Sequence, residues 1–449
     1  MTQNATKLLK YLLFIGIVLQ YACGSTQQFS SQQKKELQRQ LTESPVLAKS
    51  FTGFALYDPS TKEMLYEQDA NKYYTPASNT KIFTLYTALK ILGDELPLLQ
   101  YYTHEDSLVF WGTGNPLLLH PDFEQNNKVV NFLKNRPEQL YFSDHNFSER
   151  RFGPGWAWDD YRYGYQAEKS PMPIYGNTAR FKRDSAANKL DIMPDFFAAR
   201  FVYQPEFYEE TPYIKRQEFG NIFEYNQLAI TGASYDRYIP FDYSPEFLAT
   251  LLTDTLGKYV VYARQTAVSN QKVQTLSVPM PDTLYQQLMK DSDNFIAEQL
   301  LLMCSNKVFG EQNSEKMIDY AVDSLLSSLP DEPQWWDGSG LTRYNLFTPR
   351  SIVRLLELIR MEIPEERIFS IFPAGGASGT IQNWYAGEEG PYVFAKTGTL
   401  RNKHCLSGYL KCKSGKTLIF SFMHNNYITA SAPLKKEMNK ILSWLRDNY

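Results

Sequence analysis

The sequence predicts an α+β protein in which helices cover an antiparallel sheet and a β-rich insert interrupts the chain. Two hairpin patterns, one near each end of the chain, predict the sheet. Residues 52–57 and 63–67 flank the turn Asp-Pro-Ser-Thr-Lys, and residues 404–410 and 416–423 flank Lys-Ser-Gly. Between these hairpins, apolar residues recur at helical spacing over much of the later part of the chain. A long aromatic-rich region with short strand-like runs precedes those helices and predicts the insert.

The helices are predicted by apolar residues that recur at helical spacing. One helix is expected to begin near Ser78, and three more are expected over residues 293–304, 315–328 and 349–360. A last helix follows Ser431. Its apolar residues form a single stripe, which predicts that one face packs on the sheet: Leu434, Met438, Ile441, Leu442 and Leu445.

The overall composition is that of a globular protein of two or three domains. The chain has 449 residues, of which 43% are hydrophobic and 21% charged. The net charge of −3 gives no basic excess, so the composition does not favour a nucleic-acid partner. The five histidines have no ligand spacing. We therefore expect neither a metal site nor a cofactor.

The N-terminal residues predict export. Lys7 and Lys10 precede about twelve mainly apolar residues, which are too few to span a bilayer. Cys23 follows the small residue Ala22, and this junction resembles a bacterial lipoprotein signal, in which the cysteine becomes the lipidated first residue. That resemblance implies a periplasmic, membrane-anchored lipoprotein. An ordinary cleaved signal and an uncleaved short anchor are the alternatives.

These patterns divide the chain into consecutive parts. The Gln-rich, polar composition after Cys23 predicts a tether between the anchored end and the folded body. The predicted parts are a signal peptide (1–22), a polar tether (23–44), a core in two pieces (45–90 and 241–449) and an insert (91–240).

Three short motifs in order indicate a serine acyl-transfer site. They are Ser78-Asn79-Thr80-Lys81 (S-x-x-K), Ser292-Asp293-Asn294 (S-x-N) and Lys396-Thr397-Gly398-Thr399 (K-T-G-T). Each motif alone has little specificity, because two of them have decoys elsewhere in this chain. Their ordered combination in matching contexts is strong evidence.

The decoys are separated from the candidate motifs by context. S-x-x-K also occurs at 31–34, in the polar tether, and at 269–272, where no apolar helix follows. K-S-G at 413–415 has the composition of a hairpin turn. Ser78 is the one of the three serines that opens a long apolar helix, and Lys396 follows a strand-like run.

The residue types suit acylation of a serine. A serine hydroxyl needs a base to become a good nucleophile, and Lys81 lies three residues from Ser78, on the same helix face. Burial and the second cation, Lys396, are expected to lower the pKa of Lys81 so that it can act as a neutral base. Ser292 can relay a proton, and Asn294 can hold a substrate peptide. Thr397 and Thr399 are hydroxyl donors suited to a carboxylate.

The chain resembles the class C low-molecular-mass penicillin-binding proteins, which are D-alanyl-D-alanine carboxypeptidases and endopeptidases, over about residues 45–449. Besides the three motifs, the similar segments are Gly112–Leu117, Gly155–Asp160, Asp337–Arg343 and Gly375–Thr380. The resemblance implies a serine DD-peptidase/β-lactamase-like core with inserted domains. It also implies peptidoglycan stem peptides as substrates and β-lactams as covalent inhibitors.

The same resemblance implies a role for each motif residue. Ser78 would be the acylated nucleophile, Lys81 its base, and Ser292 and Lys396 a proton relay. Asn294 would bind substrate, and Thr397, Gly398 and Thr399 would form the strand that holds the terminal carboxylate. The oxyanion hole would consist of the backbone N–H groups of Ser78 and Thr399.

Two other functions share the acyl-enzyme step. A β-lactamase would need a positioned base for the deacylating water, and Ser292 in the second motif argues against the type that uses tyrosine there. A slow-turnover penicillin-binding sensor or scaffold is the second alternative. The motif residues are intact, which disfavours a dead site.

Overall fold

The fold is built on a five-stranded antiparallel sheet that joins the two ends of the chain. This computed structural model describes residues 29–123, 127–208, 210–264 and 272–449. The strand order is β14-β15-β16-β1-β2. Strand β1 pairs with β16, so that Phe54 lies opposite Phe422. The bounds of these strands are β1 Phe51–Asp58, β2 Glu63–Gln68, β14 Val393–Leu400, β15 Lys403–Lys411 and β16 Thr417–Asn425.

Helices cover both faces of this sheet, which confirms the predicted fold class. On one face lie α2 (Lys81–Leu92), α7 (Asn294–Phe309) and α9 (Pro349–Glu362), and they share a large apolar core. On the other face, α11 (Ser431–Asn448) buries the predicted stripe from Leu434 to Leu445 in a second core. The strands are buried on both faces, because apolar side chains alternate between two covered surfaces.

The predicted polar tether is wrong over part of its length. Residues Ser31–Thr42 form helix α1, whose N-terminus is closed by a capping box between Ser30 and Gln33. Leu37 and Leu41, four residues apart, are buried against the second core. The Gln-rich composition concealed this short apolar stripe. The predicted signal peptide and Cys23 lie outside the described residues.

The insert extends further along the chain than predicted. Its main sheet has the order β12-β5-β4-β3-β13 and begins at Glu95. Strands β12 (Val260–Tyr262) and β13 (Gln274–Pro279) complete this sheet by pairing with β5 and β3. The predicted boundary at residue 240 is therefore too early, because strand pairing over long sequence distances is not visible in local patterns.

Two smaller three-stranded sheets, β8-β10-β9 and β11-β6-β7, supply the rest of the β structure of the described insert. The strands of the insert not yet bounded are β3 Glu95–His104, β4 Ser107–Gly112, β5 Gln139–Phe142, β6 Thr178–Asp184, β7 Lys189–Met193, β8 Phe201–Tyr203, β9 Ile214–Arg216, β10 Phe223–Tyr225 and β11 Tyr235–Pro240.

The remaining helices connect these parts. Where one helix was predicted over residues 315–328, α8 gives way after Tyr320 to a π-helical turn, Ala321–Leu325. The remaining bounds are α3 Lys128–Lys134, α4 Leu228–Thr231, α5 Pro245–Leu256, α6 Asp282–Gln286, α8 Ser314–Tyr320 and α10 Glu365–Ile371.

Candidate active site

Ser78 lies on a tight turn at the entrance to helix α2. The turn is a 3₁₀ helix, Ala77–Thr80, and α2 begins directly after it at Lys81. The predicted helix start near Ser78 is thus displaced by three residues. Ala77 has φ of 49°, a left-handed conformation that costs free energy in a residue with a Cβ atom. Such conformations persist where the surrounding structure enforces them.

Two glycines of other segments enforce the shape of this turn. A Cβ atom added to Gly340 would lie 2.0 Å from the carbonyl oxygen of Ala77. One added to Gly398 would lie 2.2 Å from the carbonyl oxygen of Pro76 and 3.1 Å from the backbone nitrogen of Ser78. Glycine is therefore required at both positions. Strand β14, which carries Gly398, passes directly against the backbone of the candidate nucleophile.

Lys81 is fully buried, and its ammonium group has three partners. Nζ lies 2.6 Å from Asn294 Oδ1 and 2.6 Å from the carbonyl oxygen of Ser339. The third partner is Ser78 Oγ, at 3.2 Å. Burial lowers the pKa of Lys81 to about 8, although the negative charge of Asp337 opposes that effect.

Lys396 is the second fully buried lysine of the site. Its Nζ donates to Ser292 Oγ at 2.9 Å and to the carbonyl oxygen of Thr397 at 2.9 Å. Burial, with repulsion from the charge of Lys81, holds the pKa of Lys396 well below its usual range. The sequence predicts that the second cation, Lys396, helps to lower the pKa of Lys81, but burial is what lowers the pKa of Lys81. The repulsion between the two lysines acts instead on the pKa of Lys396, again after burial.

The middle motif forms the junction between a π-helical turn and helix α7. Ser292 has φ of 60° and ψ of 37°, a left-handed conformation that ends the turn Gln287–Asp291. Asp293 caps α7 by accepting from the backbone N–H of Ile296 at 2.9 Å. Asn294, the first residue of α7, accepts from Lys81 and donates through Nδ2 to the carbonyl oxygen of Tyr165 at 2.9 Å.

Strand β14 forms the edge of the central sheet beside Ser78. Asn79 Nδ2 donates to the carbonyl oxygen of Lys396 at 2.9 Å, which ties the nucleophile turn to the strand. Thr397 Oγ1 donates to Thr380 Oγ1 at 2.7 Å. The side chain of Thr399 is exposed, and its hydroxyl lies 2.9 Å from Nδ1 of His404.

A buried acidic turn holds the Ser339 carbonyl group against Lys81. Asp337 accepts from the backbone N–H groups of Gly340 and Thr342, both at 2.8 Å, and from Trp156 Nε1 at 2.9 Å. Glu298, on α7, accepts from the backbone N–H of Ser339 at 2.8 Å. The segments Gly155–Asp160 and Asp337–Arg343, which were singled out by resemblance, are thus joined behind the base.

The structure brings Ser78, Lys81, Ser292, Asn294 and Lys396 together through the hydrogen bonds given above. Four residues that contact the site have no role in the sequence prediction. Ser339 and Tyr165 carry no sequence signal, because each contributes only a backbone carbonyl group. Thr380 and His404 contact the strand through their side chains. Of the decoys, 31–34 lies in helix α1 and 413–415 in the turn between β15 and β16. The decoy at 269–272 lies largely outside the described residues.

Comparison with known proteins supplies evidence about the family of this chain that is independent of the geometry of the site. Residues 33–448 match the model of the D-Ala-D-Ala carboxypeptidase 3 (S13) family. D-alanyl-D-alanine carboxypeptidase DacB of Haemophilus influenzae is 24% identical over 442 residues, covering 89% of this chain and 90% of that protein. A D-alanyl-D-alanine carboxypeptidase of an Actinomadura species is 26% identical, covering 88% of this chain and 81% of that protein.

The fold has a close counterpart among solved structures. The crystal structure of penicillin-binding protein 4 from Haemophilus influenzae superposes with a TM-score of 0.73 at 22% identity, covering 92% of this chain and 99% of that chain. A complex of the same protein with a β-lactam superposes with a TM-score of 0.68 at 20% identity, with the same coverage of both chains. The match extends over the insert as well as the core.

Proposed function

The chain belongs to the D-Ala-D-Ala carboxypeptidase 3 (S13) family and is a serine-type carboxypeptidase; on that premise we propose that Ser78 forms its acyl-enzyme with peptidoglycan stem peptides. The observation that supports this choice is the hydrogen-bonding of Lys81. This fully buried lysine is 3.2 Å from the Ser78 hydroxyl. The decoy Ser31, at the start of helix α1, is exposed.

The partners of Lys81 suit a neutral amine. A neutral amine has two hydrogens and one lone pair. Asn294 Oδ1 and the Ser339 carbonyl group, both at 2.6 Å, accept the two hydrogens. The lone pair is then left to accept the proton of Ser78, the most distant of the three partners. A pKa lowered to about 8 keeps a useful neutral fraction near pH 7.

In the proposed acylation step, the Ser78 oxygen attacks the carbonyl carbon of the penultimate D-Ala, and its proton passes to Lys81. The negative charge that develops on the carbonyl oxygen is stabilised by the backbone N–H groups of Ser78 and Thr399. When the peptide bond breaks, the proton held by Lys81 passes through Ser292, which is hydrogen-bonded to Lys396, to the departing amine, and Lys81 is neutral again. Lys81 then takes a proton from the water that attacks the ester, and that proton passes to the Ser78 oxygen as the ester bond breaks.

Strand β14 supplies the binding groups for the substrate end. We propose that Thr397, Thr399 and the positive charge of Lys396 bind the terminal carboxylate of the substrate. Gly398 allows the strand to approach Ser78 closely. Asn294 binds the substrate amide. β-Lactams resemble the D-Ala-D-Ala end, and the Haemophilus influenzae protein has been crystallised with one. Covalent inhibition through Ser78 is therefore part of this proposal.

The decisive experiment separates the enzyme from a slow sensor. Purified protein is incubated with uncross-linked and with cross-linked muropeptides, and released D-Ala and cleaved dimers are identified by mass. Turnover that is lost in Ser78→Ala and retained in the decoy variant Ser31→Ala supports the proposal. Penicillin labelling without release of D-Ala or dimer cleavage would instead indicate a sensor. Rapid turnover of penicillin alone would indicate a β-lactamase.

We further propose export and lipid anchoring through Cys23. Among the described residues, no helix is long and apolar enough to cross a membrane. If Cys23 carries the lipid, the five residues between it and Phe29 allow a separation of at most about 22 Å. The folded body would then lie close to the membrane surface, since helix α1 belongs to that body.

A further inference from the structure

A row of four polar side chains crosses the central sheet behind the candidate carboxylate site. In the strand register, Thr399 lies opposite His404, His404 opposite His424, and His424 opposite Thr52. Hydrogen bonds join the two ends of the row, from Thr399 Oγ1 to His404 Nδ1 at 2.9 Å and from Thr52 Oγ1 to His424 Nδ1 at 2.8 Å. Thr399 is the exposed member, and the histidines are buried.

His404 is held neutral in this row. Its side chain is only 1% exposed, and burial lowers its pKa to about 3, with a smaller contribution from the charge of Lys435. A neutral imidazole has one nitrogen that donates and one that accepts. Which nitrogen of His404 carries the hydrogen therefore decides the direction of its bond to Thr399.

The surroundings of the other nitrogen favour one tautomer. Within the described part of the chain, His404 Nε2 is buried and has no hydrogen-bond partner. A buried donor without a partner is rarer than a buried acceptor without one. The Nδ1–H tautomer leaves only an acceptor unpaired, so Nδ1 donates to Thr399 Oγ1.

We propose that His404 is a positioning residue: its Nδ1–H occupies one of the two acceptor lone pairs of Thr399 Oγ1 and thereby directs the threonine hydroxyl hydrogen toward the substrate carboxylate. The proposal rests on the proposed role of Thr399. It also assigns different tasks to the two threonines of the strand, because Thr397 already donates its hydroxyl hydrogen to Thr380. Thr399 is then the hydroxyl available as a donor.

The test compares two acyl donors that differ only in the leaving group. One is a thioester whose leaving group carries a carboxylate, and the other is its methyl ester. His404→Leu removes the donor, His404→Asn places an amide near the position of Nδ1, and His424→Leu is a matched control that alters an equally buried histidine of the same row without touching Thr399.

We expect His404→Leu to lower kcat/KM about 10-fold for the carboxylate substrate, a loss typical of one hydrogen bond to a charged group. The ester should change by less than about 2-fold, and His404→Asn should restore much of the preference. Equal losses on both substrates, or the same selective loss in His424→Leu, would overturn the proposal.

Two further measurements keep the outcome decisive. Thr399→Val is assayed on the same substrate pair. If it does not lose the carboxylate preference, the proposed role of Thr399 fails, whereas selective loss in Thr399→Val without loss in His404→Leu refutes the role of His404 alone. The ring ¹⁵N shifts of His404 in the wild-type protein, assigned with His404→Asn, must show hydrogen on Nδ1. Hydrogen on Nε2 refutes the proposal even if His404→Leu does not fold.

Discussion

Replacement of Lys81 by arginine tests the core of the proposed chemistry. Guanidinium stays protonated below about pH 12, so it cannot accept the proton of Ser78. The variant keeps a cation and hydrogen-bond donors near Asn294 and Ser339, which removes the base while preserving the charge. We expect the acylation rate to fall by the usual contribution of a general base, on the order of 10²–10⁴-fold.

The wild-type pH profile supplies the second part of this prediction. Lys81 acts when deprotonated, so acylation should rise as pH increases through its apparent pKa. With a pKa of about 8, about one-tenth of the enzyme is active at pH 7 and about nine-tenths at pH 9. The rate should therefore rise about 8–10-fold over that interval and then level off. Because the two buried lysines interact, the limb reports the pair.

The assay is stopped-flow acylation by a fluorescent penicillin at pH 6 to 9.5. Lys169→Arg is a matched control, since Lys169 is a buried lysine whose ammonium group pairs with Glu149 at 3.1 Å. It should acylate at close to the wild-type rate, because Ser78 and its proposed base are unchanged. A Lys81→Arg variant as fast as wild type, or a wild-type rate that does not change from pH 7 to 9, would refute Lys81 as the base.

Four other predictions concern the nucleophile, Lys396, helix α1 and the N-terminal cysteine. Penicillin should label the peptide that contains Ser78, and labelling should vanish in Ser78→Ala and persist in Ser31→Ala, as peptide mass mapping will show. Lys396→Arg should retain some acylation, because it keeps a positive charge. Lys396→Gln should move the rising limb of the pH–rate profile to higher pH, because it removes the charge that repels the Lys81 ammonium group; acylation rates measured against pH will show this. Leu37→Ala should destabilise the protein by about 2–5 kcal/mol in denaturant unfolding, because Leu37 is fully buried beneath α11; an unchanged midpoint would show that α1 is not part of the cooperative fold. Cys23 should carry lipid in the mature protein, and a mass spectrum with unmodified Cys23 at the mature N-terminus would contradict this.

Motif spacing and the order of the three motifs along the chain predicted the candidate site residues, whose roles stay predictions. Ser78 and Lys81 are three positions apart, so helical geometry alone places them on one face. The apolar runs around Lys396 and after Ser78 separated the motifs from their decoys. Apolar alternation in the two terminal hairpins likewise predicted the sheet that β1 and β16 complete.

Contacts between distant segments decided the rest. One partner of Lys81 is the backbone carbonyl group of Ser339, 258 positions away, and the residue types carry no signal for a backbone acceptor. The same limit explains the boundary error at residue 240, since β13 joins the insert by pairing with β3. His404 gained a candidate role only when strand register placed it behind Thr399. Sequence periodicity determines which face of an element is apolar, whereas register and packing determine which distant groups meet, because many pairings satisfy the same local pattern.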